Sequence, residues 1–214
     1  MISLGSIRGT TLEIDFTFFI LVGVFAYLNY NRNTGIEYAL LWVLIIFISV
    51  LFHELAHAAT IGLFGYGSSR VILGGMGGVT INARVAEPWH DMLISVIGPV
   101  SSFALAYAMK IFLMTGIPQR DPMLYPLVYF LALMNTWLGW FNLVPVPPLD
   151  GGHFVRHLLR TFQDEQNALN TSMWIAIIGG GAAAVYFAAN GFTFAAVFVG
   201  WCLFMSIQQW RTGN

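Results

Sequence analysis

The chain has 214 residues, of which 57% are hydrophobic and only 9% are charged, and its mean hydropathy is +0.73. This composition excludes an ordinary soluble enzyme and is typical of an integral membrane protein in a lipid bilayer. The formal net charge of −1 supplies no positive field for nucleic acid, so we expect no nucleic-acid partner.

Apolar runs alternate with short polar stretches along the chain, which predicts about six transmembrane helices. The first two runs cover Phe16–Tyr30 and Glu37–Phe64, and the polar residues 31–33 separate them. The following segment, Gly65–Arg84, is rich in glycine at Gly74–Gly78 and has β-branched residues on both sides. This pattern predicts a short hairpin or a re-entrant segment after the second helix.

The third and fourth runs contain prolines. The third, His90–Thr115, includes the pair Gly98-Pro99, which predicts a kink or a close packing site. The fourth extends from Pro122 to Phe162 and is too long for one regular crossing. Prolines interrupt it, because proline lacks the amide hydrogen that an α-helix needs. They are Pro145, Pro147 and Pro148.

Two further runs, Ser172–Ala189 and Thr193–Gln209, form a final pair that turns at Asn190-Gly191. The predicted fold class is therefore an all-α membrane protein with about six transmembrane helices and the short Gly-rich segment after the second. We expect one transmembrane domain over residues 1–214.

The nine Lys and Arg residues are distributed unequally between the two sides of a six-helix topology. The richer side carries Arg8, Arg70, Arg84, Arg156, Arg160 and Arg211, and the other side carries Arg32, Lys110 and Arg120. Cytoplasmic loops are enriched in Lys and Arg, so this bias favours a multi-pass protein with both termini on the cytoplasmic side.

The second run contains His53-Glu54-Leu55-Ala56-His57, an H-E-x-x-H motif inside an almost wholly apolar stretch. Residues four apart lie on one face of an α-helix, about 6 Å apart along its axis, so both imidazoles can bind one metal ion. Glu54 is placed to act on a metal-bound water rather than to bind the ion. The motif lies toward the cytoplasmic end of its helix, so we expect the active site on that side.

A catalytic zinc ion takes three protein ligands, so the two histidines leave one position to be filled. Asp150 is the other acidic residue deep within a predicted span, and its expected depth matches that of His53 and His57. A carboxylate at that depth needs a partner, and one zinc ion per chain would supply it. The alternative is that Asp150 only caps the helix that follows the prolines.

The H-E-x-x-H motif and the later segment Asn142-Leu143-Val144-Pro145-Val146-Pro147-Pro148-Leu149-Asp150-Gly151 together resemble the site-2 protease family of intramembrane zinc metalloproteases. The opening stretch, the Gly-rich segment and Gly98-Pro99 are also similar, so the resemblance covers nearly the whole chain.

The resemblance implies that His53, His57 and Asp150 hold zinc and that Glu54 is the general base. It also implies a zinc metalloendopeptidase that cleaves a transmembrane protein or peptide in or near its membrane helix, as in regulated intramembrane proteolysis. Two departures from the family are noted: we expect no PDZ-like or CBS-like domain, and Ser102 stands where the family often has asparagine.

The chemistry of such a site predicts further roles. Zinc lowers the pKa of its bound water toward ~7, and Glu54 takes the water's proton and delivers it to the leaving amine. Asn142 donates a hydrogen bond to the substrate carbonyl or oxyanion, or it only joins helices. The segment 74–80 is either a strand edge that pairs with an extended substrate or a flexible linker.

Two further histidines follow Asp150 in the sequence. We expect His153, three residues later, to orient the Asp150 carboxylate, and His157 to lie near the membrane interface. Because the two histidines are four residues apart, a second metal site or the replacement of a ligand stays open.

Three functional classes are compatible with these patterns, and an intramembrane zinc endopeptidase is favoured. A proteolytically silent relative that binds membrane proteins is disfavoured, because the ligands and the base are all present. A metal transporter would need neither Glu54 at this spacing nor a single converging site.

Overall fold

The computed structural model describes residues 1–7, 9–28, 30, 35–82 and 87–212, and these residues are mostly α-helical, as predicted. The helices are α1 (Phe16–Leu28), α2 (Gly35–Leu63), α3 (Pro88–Met114), α4 (Leu124–Asn142), α5 (Asp150–Arg160), α6 (Glu165–Ala189) and α7 (Thr193–Thr212). The strands are β1 (Ile2–Ile7), β2 (Thr10–Ile14), β3 (Ser69–Gly74) and β4 (Gly77–Asn82).

Five of these helices, α2, α3, α4, α6 and α7, are long and apolar enough to cross a membrane, which identifies a multi-pass membrane protein. Helix α1 is equally apolar but has only 13 residues, about 20 Å at the helical rise. The long fourth run is divided between α4 and α5, and the break at residues 143–149 contains the three prolines. The polar stretch 31–33 and Arg8, Arg32 and Arg84 lie outside the described residues.

The chain forms two compact units. Unit 1 comprises Met1–Val85 and Val100–Gly139, and unit 2 comprises Ala86–Pro99 and Trp140–Asn214. The H-E-x-x-H motif therefore belongs to unit 1 and Asp150 to unit 2.

Unit 1 contains a four-stranded sheet in the order β1-β2-β3-β4. The two outer pairs are antiparallel hairpins, whereas β2 and β3 run parallel, with Leu12 opposite Val71. The predicted hairpin after the second helix is confirmed, and the flexible-linker interpretation of residues 74–80 is wrong, because Gly77–Asn82 pairs in register with Ser69–Gly74. The hairpin β1–β2 was not predicted, since β1 is exposed along its length and has no buried face to impose an alternating pattern.

The sheet packs on the first two helices through one apolar core. Buried side chains from β2, β3, α1 and α2 meet there: Ile14, Phe18, Val22, Ile46, Val50, Ala58, Val71 and Leu73. Burial of branched side chains on one face of each strand fixes the strand register, because a slip by one residue would expose them all. The core therefore holds the hairpin β3–β4 against the helix that carries the histidines.

In unit 2, the proline-rich break between α4 and α5 has buried side chains at Val144, Val146 and Leu149, and several of its backbone groups are hydrogen-bonded. The amide of Val146 donates to Val144 O at 2.7 Å, and the amide of Leu149 donates to Val146 O at 2.8 Å. Ser206 Oγ donates to Pro147 O at 2.7 Å. Non-helical backbone at membrane depth is tolerated only where protein or water satisfies its polar groups, and these hydrogen bonds supply such partners.

Helix α5 starts directly after this break, and two glycines permit the close approach. A Cβ atom on Gly151 would lie 2.6 Å from Val144 O, and one on Gly152 would lie 2.7 Å from Pro147 Cδ. A larger residue at either position would push α5 away from the break. The two glycines therefore determine how close the first turn of α5, which contains Asp150, lies to residues 143–149.

Candidate metal centre

Helix α2 holds the three ionisable side chains of the motif inside unit 1. His53, Glu54 and His57 are only 3%, 5% and 6% exposed. The ring centroids of His53 and His57 are 5.0 Å apart, so the helical spacing brings both imidazoles to one place, as predicted.

Ser102 on α3 contacts the first histidine. Its Oγ lies 2.9 Å from His53 Nδ1, and Ser102 is completely buried. The hydrogen bond engages Nδ1, so a metal ion held by this ring would be bound through the other nitrogen, Nε2. The departure from the family at position 102 therefore retains a polar contact between α2 and α3.

Glu54 is held by the strand β4. Thr80 Oγ1 donates to Glu54 Oε2 at 2.8 Å and lies 3.1 Å from the Glu54 carbonyl oxygen. On the same face of β4, Gly78 lies so close that a Cβ atom there would be 2.6 Å from Glu54 Oε1. The strand thus sets the position of the carboxylate both by a hydrogen bond and by the absence of a side chain.

The turn of the β3–β4 hairpin is attached to the start of α1. Gly75 N donates to Thr17 Oγ1 at 2.8 Å, and Thr17 Oγ1 donates to Asp15 Oδ1 at 2.6 Å. These hydrogen bonds from Thr17 hold the pKa of Asp15 below its usual value, so the carboxylate is charged at neutral pH. The chain Asp15–Thr17–Gly75 fixes the hairpin that contacts Glu54.

In unit 2, Asp150 is the first residue of α5, half-buried, and Leu149 is the N-cap. The interpretation of Asp150 as the helix cap is therefore wrong by one position. Asn142 is the last residue of α4.

His53 and His57 of unit 1 each offer an imidazole nitrogen to a metal ion, and Asp150 of unit 2 offers a carboxylate oxygen. Two imidazoles and a carboxylate are a donor set that catalytic zinc sites use, with a further position left for water or substrate. The residues present therefore fit zinc.

The two later histidines lie together on α5. The ring centroids of His153 and His157 are 6.3 Å apart with the planes at 19°, and His157 Nδ1 lies 3.6 Å from Asp91 Oδ2. Among the described residues, neither histidine belongs to a group able to hold a metal, which disfavours the second metal site. The orienting role of His153 stays a prediction.

Sequence reasoning did not find the contacts of Thr80 and Ser102, which lie 26 and 49 residues from their partners. Hydroxyl residues are common in transmembrane helices and turns, so residue type and spacing alone do not distinguish them. The only signals were the unusual serine at 102 and the Gly-rich segment that ends at Thr80.

The sequence is similar to a known peptidase family and to zinc metalloproteases of other organisms. Residues 117–185 match the model of peptidase family M50. A zinc metalloprotease of Methanocaldococcus jannaschii is 33% identical over 158 residues, which are 74% of this chain and 45% of the relative. The protein Rip3 of Mycobacterium tuberculosis is 27% identical, with 99% of this chain and 58% of the relative aligned. The chain thus spans about half the length of these curated relatives.

The same architecture is found in a solved structure. The site-2 protease from Methanocaldococcus jannaschii superposes with a TM-score of 0.67 over 97% of this chain and 94% of that chain, at 24% sequence identity. At this identity the likeness concerns the fold, and it supports the arrangement of helices and sheet described above.

Proposed function

Because the chain belongs to peptidase family M50, the site-2 protease family, we propose that it is an intramembrane zinc endopeptidase. Its substrate is a transmembrane protein or peptide, and the hydrolysed bond lies in or near the membrane helix of that substrate. The active site and both termini face the cytoplasm. The excess of Lys and Arg on one side supports this orientation.

One observation carries the proposal: three buried ionisable side chains lie on a helix that is long and apolar enough to cross a membrane. Ionisable residues within such a helix are costly and mark functional sites by default. The H-E-x-x-H order and the buried contacts of His53 and Glu54 favour hydrolysis over an accidental cluster.

In this proposal, His53, His57 and Asp150 hold the zinc ion. When bound, zinc would act as a Lewis acid that lowers the pKa of water and polarises the scissile carbonyl group. The side chains around it exclude bulk water, because His53 and His57 are almost completely buried.

Glu54 is the general base: its carboxylate accepts a proton from the attacking water and then delivers that proton to the leaving amine. The hydrogen bond from Thr80 Oγ1 to Oε2 supports this role, because it holds the carboxylate in one orientation. A fixed carboxylate needs no reorientation before it accepts the proton.

A helical substrate hides its carbonyl groups in hydrogen bonds, so the segment around the scissile bond must be extended. Strand β4 is the last strand in the sheet order, and its Val79 and Ile81 are about half exposed. The substrate pairs with this edge, next to Glu54. Asn142 at the end of α4 donates a hydrogen bond to the substrate carbonyl or the oxyanion.

The experiment compares the wild-type chain with Glu54→Gln and Asp150→Ala in detergent, with a panel of single-span membrane peptides and mass spectrometry of the products. The wild type should bind one zinc ion and yield fragments cut in or near the span. Glu54→Gln should keep zinc and lose cleavage, because only the base is removed. Asp150→Ala should lose both zinc and cleavage, because a ligand is removed.

Two outcomes would contradict the proposal. Cleavage that persists in Glu54→Gln would exclude Glu54 as the base, and zinc loss from that variant would make it a ligand. Zinc uptake into vesicles that survives Glu54→Gln would favour transport over hydrolysis.

A further inference from the structure

His53 has two ring nitrogens, and the structure assigns them different partners. Nδ1 lies 2.9 Å from Ser102 Oγ, and both residues are buried, at 3% and 0% exposure. In a neutral imidazole one nitrogen carries the proton and the other carries the lone pair that binds a metal. The partner of Nδ1 therefore decides which nitrogen carries the lone pair that can bind a metal.

We propose that Ser102 is a positioning residue for the metal centre: its hydroxyl oxygen accepts the Nδ1 proton of His53 and keeps the Nε2 lone pair available. This inference rests on the proposed zinc site, which it deepens. Ligand histidines are commonly held by a hydrogen bond on the second nitrogen, and the partner fixes both the tautomer and the ring plane.

The geometry of Ser102 fits an acceptor. Other hydroxyl groups in these helices donate to the carbonyl four residues earlier, as the buried Ser95 does to Asp91 O at 2.8 Å and the partly buried Thr60 to Ala56 O at 2.9 Å. A serine hydroxyl has one proton and two lone pairs, so Ser102 can accept from His53 while its own proton is directed elsewhere. No rearrangement of α3 is needed for this role.

Burial makes the interaction more important. Without the hydroxyl, the Nδ1–H group of His53 would lose the acceptor that it has in this buried position, and losing a buried hydrogen-bond partner is costly. The ring would then favour the other tautomer or rotate to find an acceptor, and either change removes Nε2 from the metal. The loss should appear as weaker zinc binding, separately from any effect on folding.

The test measures zinc affinity of the full chain in detergent by competition with a chromophoric chelator. Ser102→Ala should weaken zinc binding by about 10–100-fold, the usual effect of losing such a partner. Ser102→Thr keeps the hydroxyl and should stay within a few-fold of the wild type. Ser95→Ala removes a buried hydroxyl from the same helix and should leave zinc affinity unchanged.

Two further readouts separate positioning from a general structural role. The thermal midpoint of the metal-free protein should be similar in Ser102→Ala and Ser95→Ala, whereas the d–d absorption of the cobalt-substituted protein should change only in Ser102→Ala. Wild-type zinc affinity in Ser102→Ala, or equal weakening in Ser95→Ala, would overturn the inference and leave the proposed function intact. Failure of the wild type to bind zinc would instead overturn the proposed function.

Discussion

At the scale of single residues, the buried carboxylate of Glu54 depends on its immediate neighbours. An uncompensated charge at 5% exposure would be costly, and the hydroxyl of Thr80 offsets part of that cost by donating at 2.8 Å. Gly78 leaves the space that the carboxylate occupies. Residues of strand β4 thus help to orient the proposed base.

Gly78→Ala should therefore disable the base without removing the ligands. The new methyl group would lie 2.6 Å from Oε1 in the present arrangement, so Glu54 must move. A displacement of about 1 Å at a reacting group lowers kcat on the order of 100-fold. Zinc stoichiometry should stay at one per chain in the same preparation.

The matched control is Gly62→Ala on α2, where nothing lies within 4 Å of the added Cβ. This change should preserve kcat, because it improves helix propensity and meets no neighbour. A Gly78→Ala variant with wild-type kcat would show that the carboxylate does not need its present position.

At the scale of elements, the break between α4 and α5 is a partly buried, hydrogen-bonded structure rather than a loose connection. Its carbonyls and amides pair locally, and α5 approaches it within van der Waals distance through Gly151 and Gly152. The start of α5, and with it the position of Asp150, is therefore coupled to the conformation of residues 143–149.

Gly151→Ala should disturb this coupling. The added Cβ would lie 2.6 Å from the Val144 carbonyl oxygen. A backbone carbonyl group cannot rotate away from the new atom as a flexible side chain could. Overpacking of this kind costs about 1–3 kcal/mol of stability, and we expect weaker zinc binding because Asp150 moves with α5. Thermal unfolding and zinc competition measure the two effects.

Gly181→Ala on α6, whose Cβ would meet nothing within 4 Å, is the corresponding control and should change neither quantity. Unchanged zinc affinity in Gly151→Ala would indicate that the position of α5 does not matter for the metal.

At the scale of the whole molecule, the proposed activity depends on one metal ion. Removal of zinc by 1,10-phenanthroline should abolish peptide cleavage, and stoichiometric zinc should restore it. Magnesium should not, since imidazole donors favour zinc over hard cations. Cleavage that continues at full rate in a zinc-free preparation would end the metalloprotease interpretation.

The sequence predicted the long helices because each one exposes a nearly uninterrupted apolar surface. The predicted start of α6 was Ser172, whereas the helix begins at Glu165, where Asp164 accepts a hydrogen bond from Asn167 N at 2.8 Å. Those first turns are polar, so hydropathy does not detect them, although the capping residue could have been recognised.

The part of the candidate site that lies within one helix could be predicted from the sequence, and the contacts made by other elements could not. His53, Glu54 and His57 are four residues apart or less, so their proximity follows from the helix alone. Thr80 and Ser102 reach them through tertiary packing, which depends on how the helices and the sheet meet. The parallel pairing of β2 with β3 joins residues almost 60 positions apart and has no local signature.

That parallel pairing has a consequence for how often the chain passes through the bilayer. Strand β2 ends immediately before α1, and β3 begins shortly after α2, yet Thr10–Ile14 pairs directly with Ser69–Leu73. The chain between the two strands must therefore start and end on the same side of the membrane. It crosses the bilayer an even number of times. Helix α2 has 29 residues and is longer than the ~30 Å hydrocarbon core of a bilayer. It therefore provides the second of these crossings. The outward crossing falls to the short helix α1, so α1 and α2 form a helix pair whose two outer ends the sheet joins.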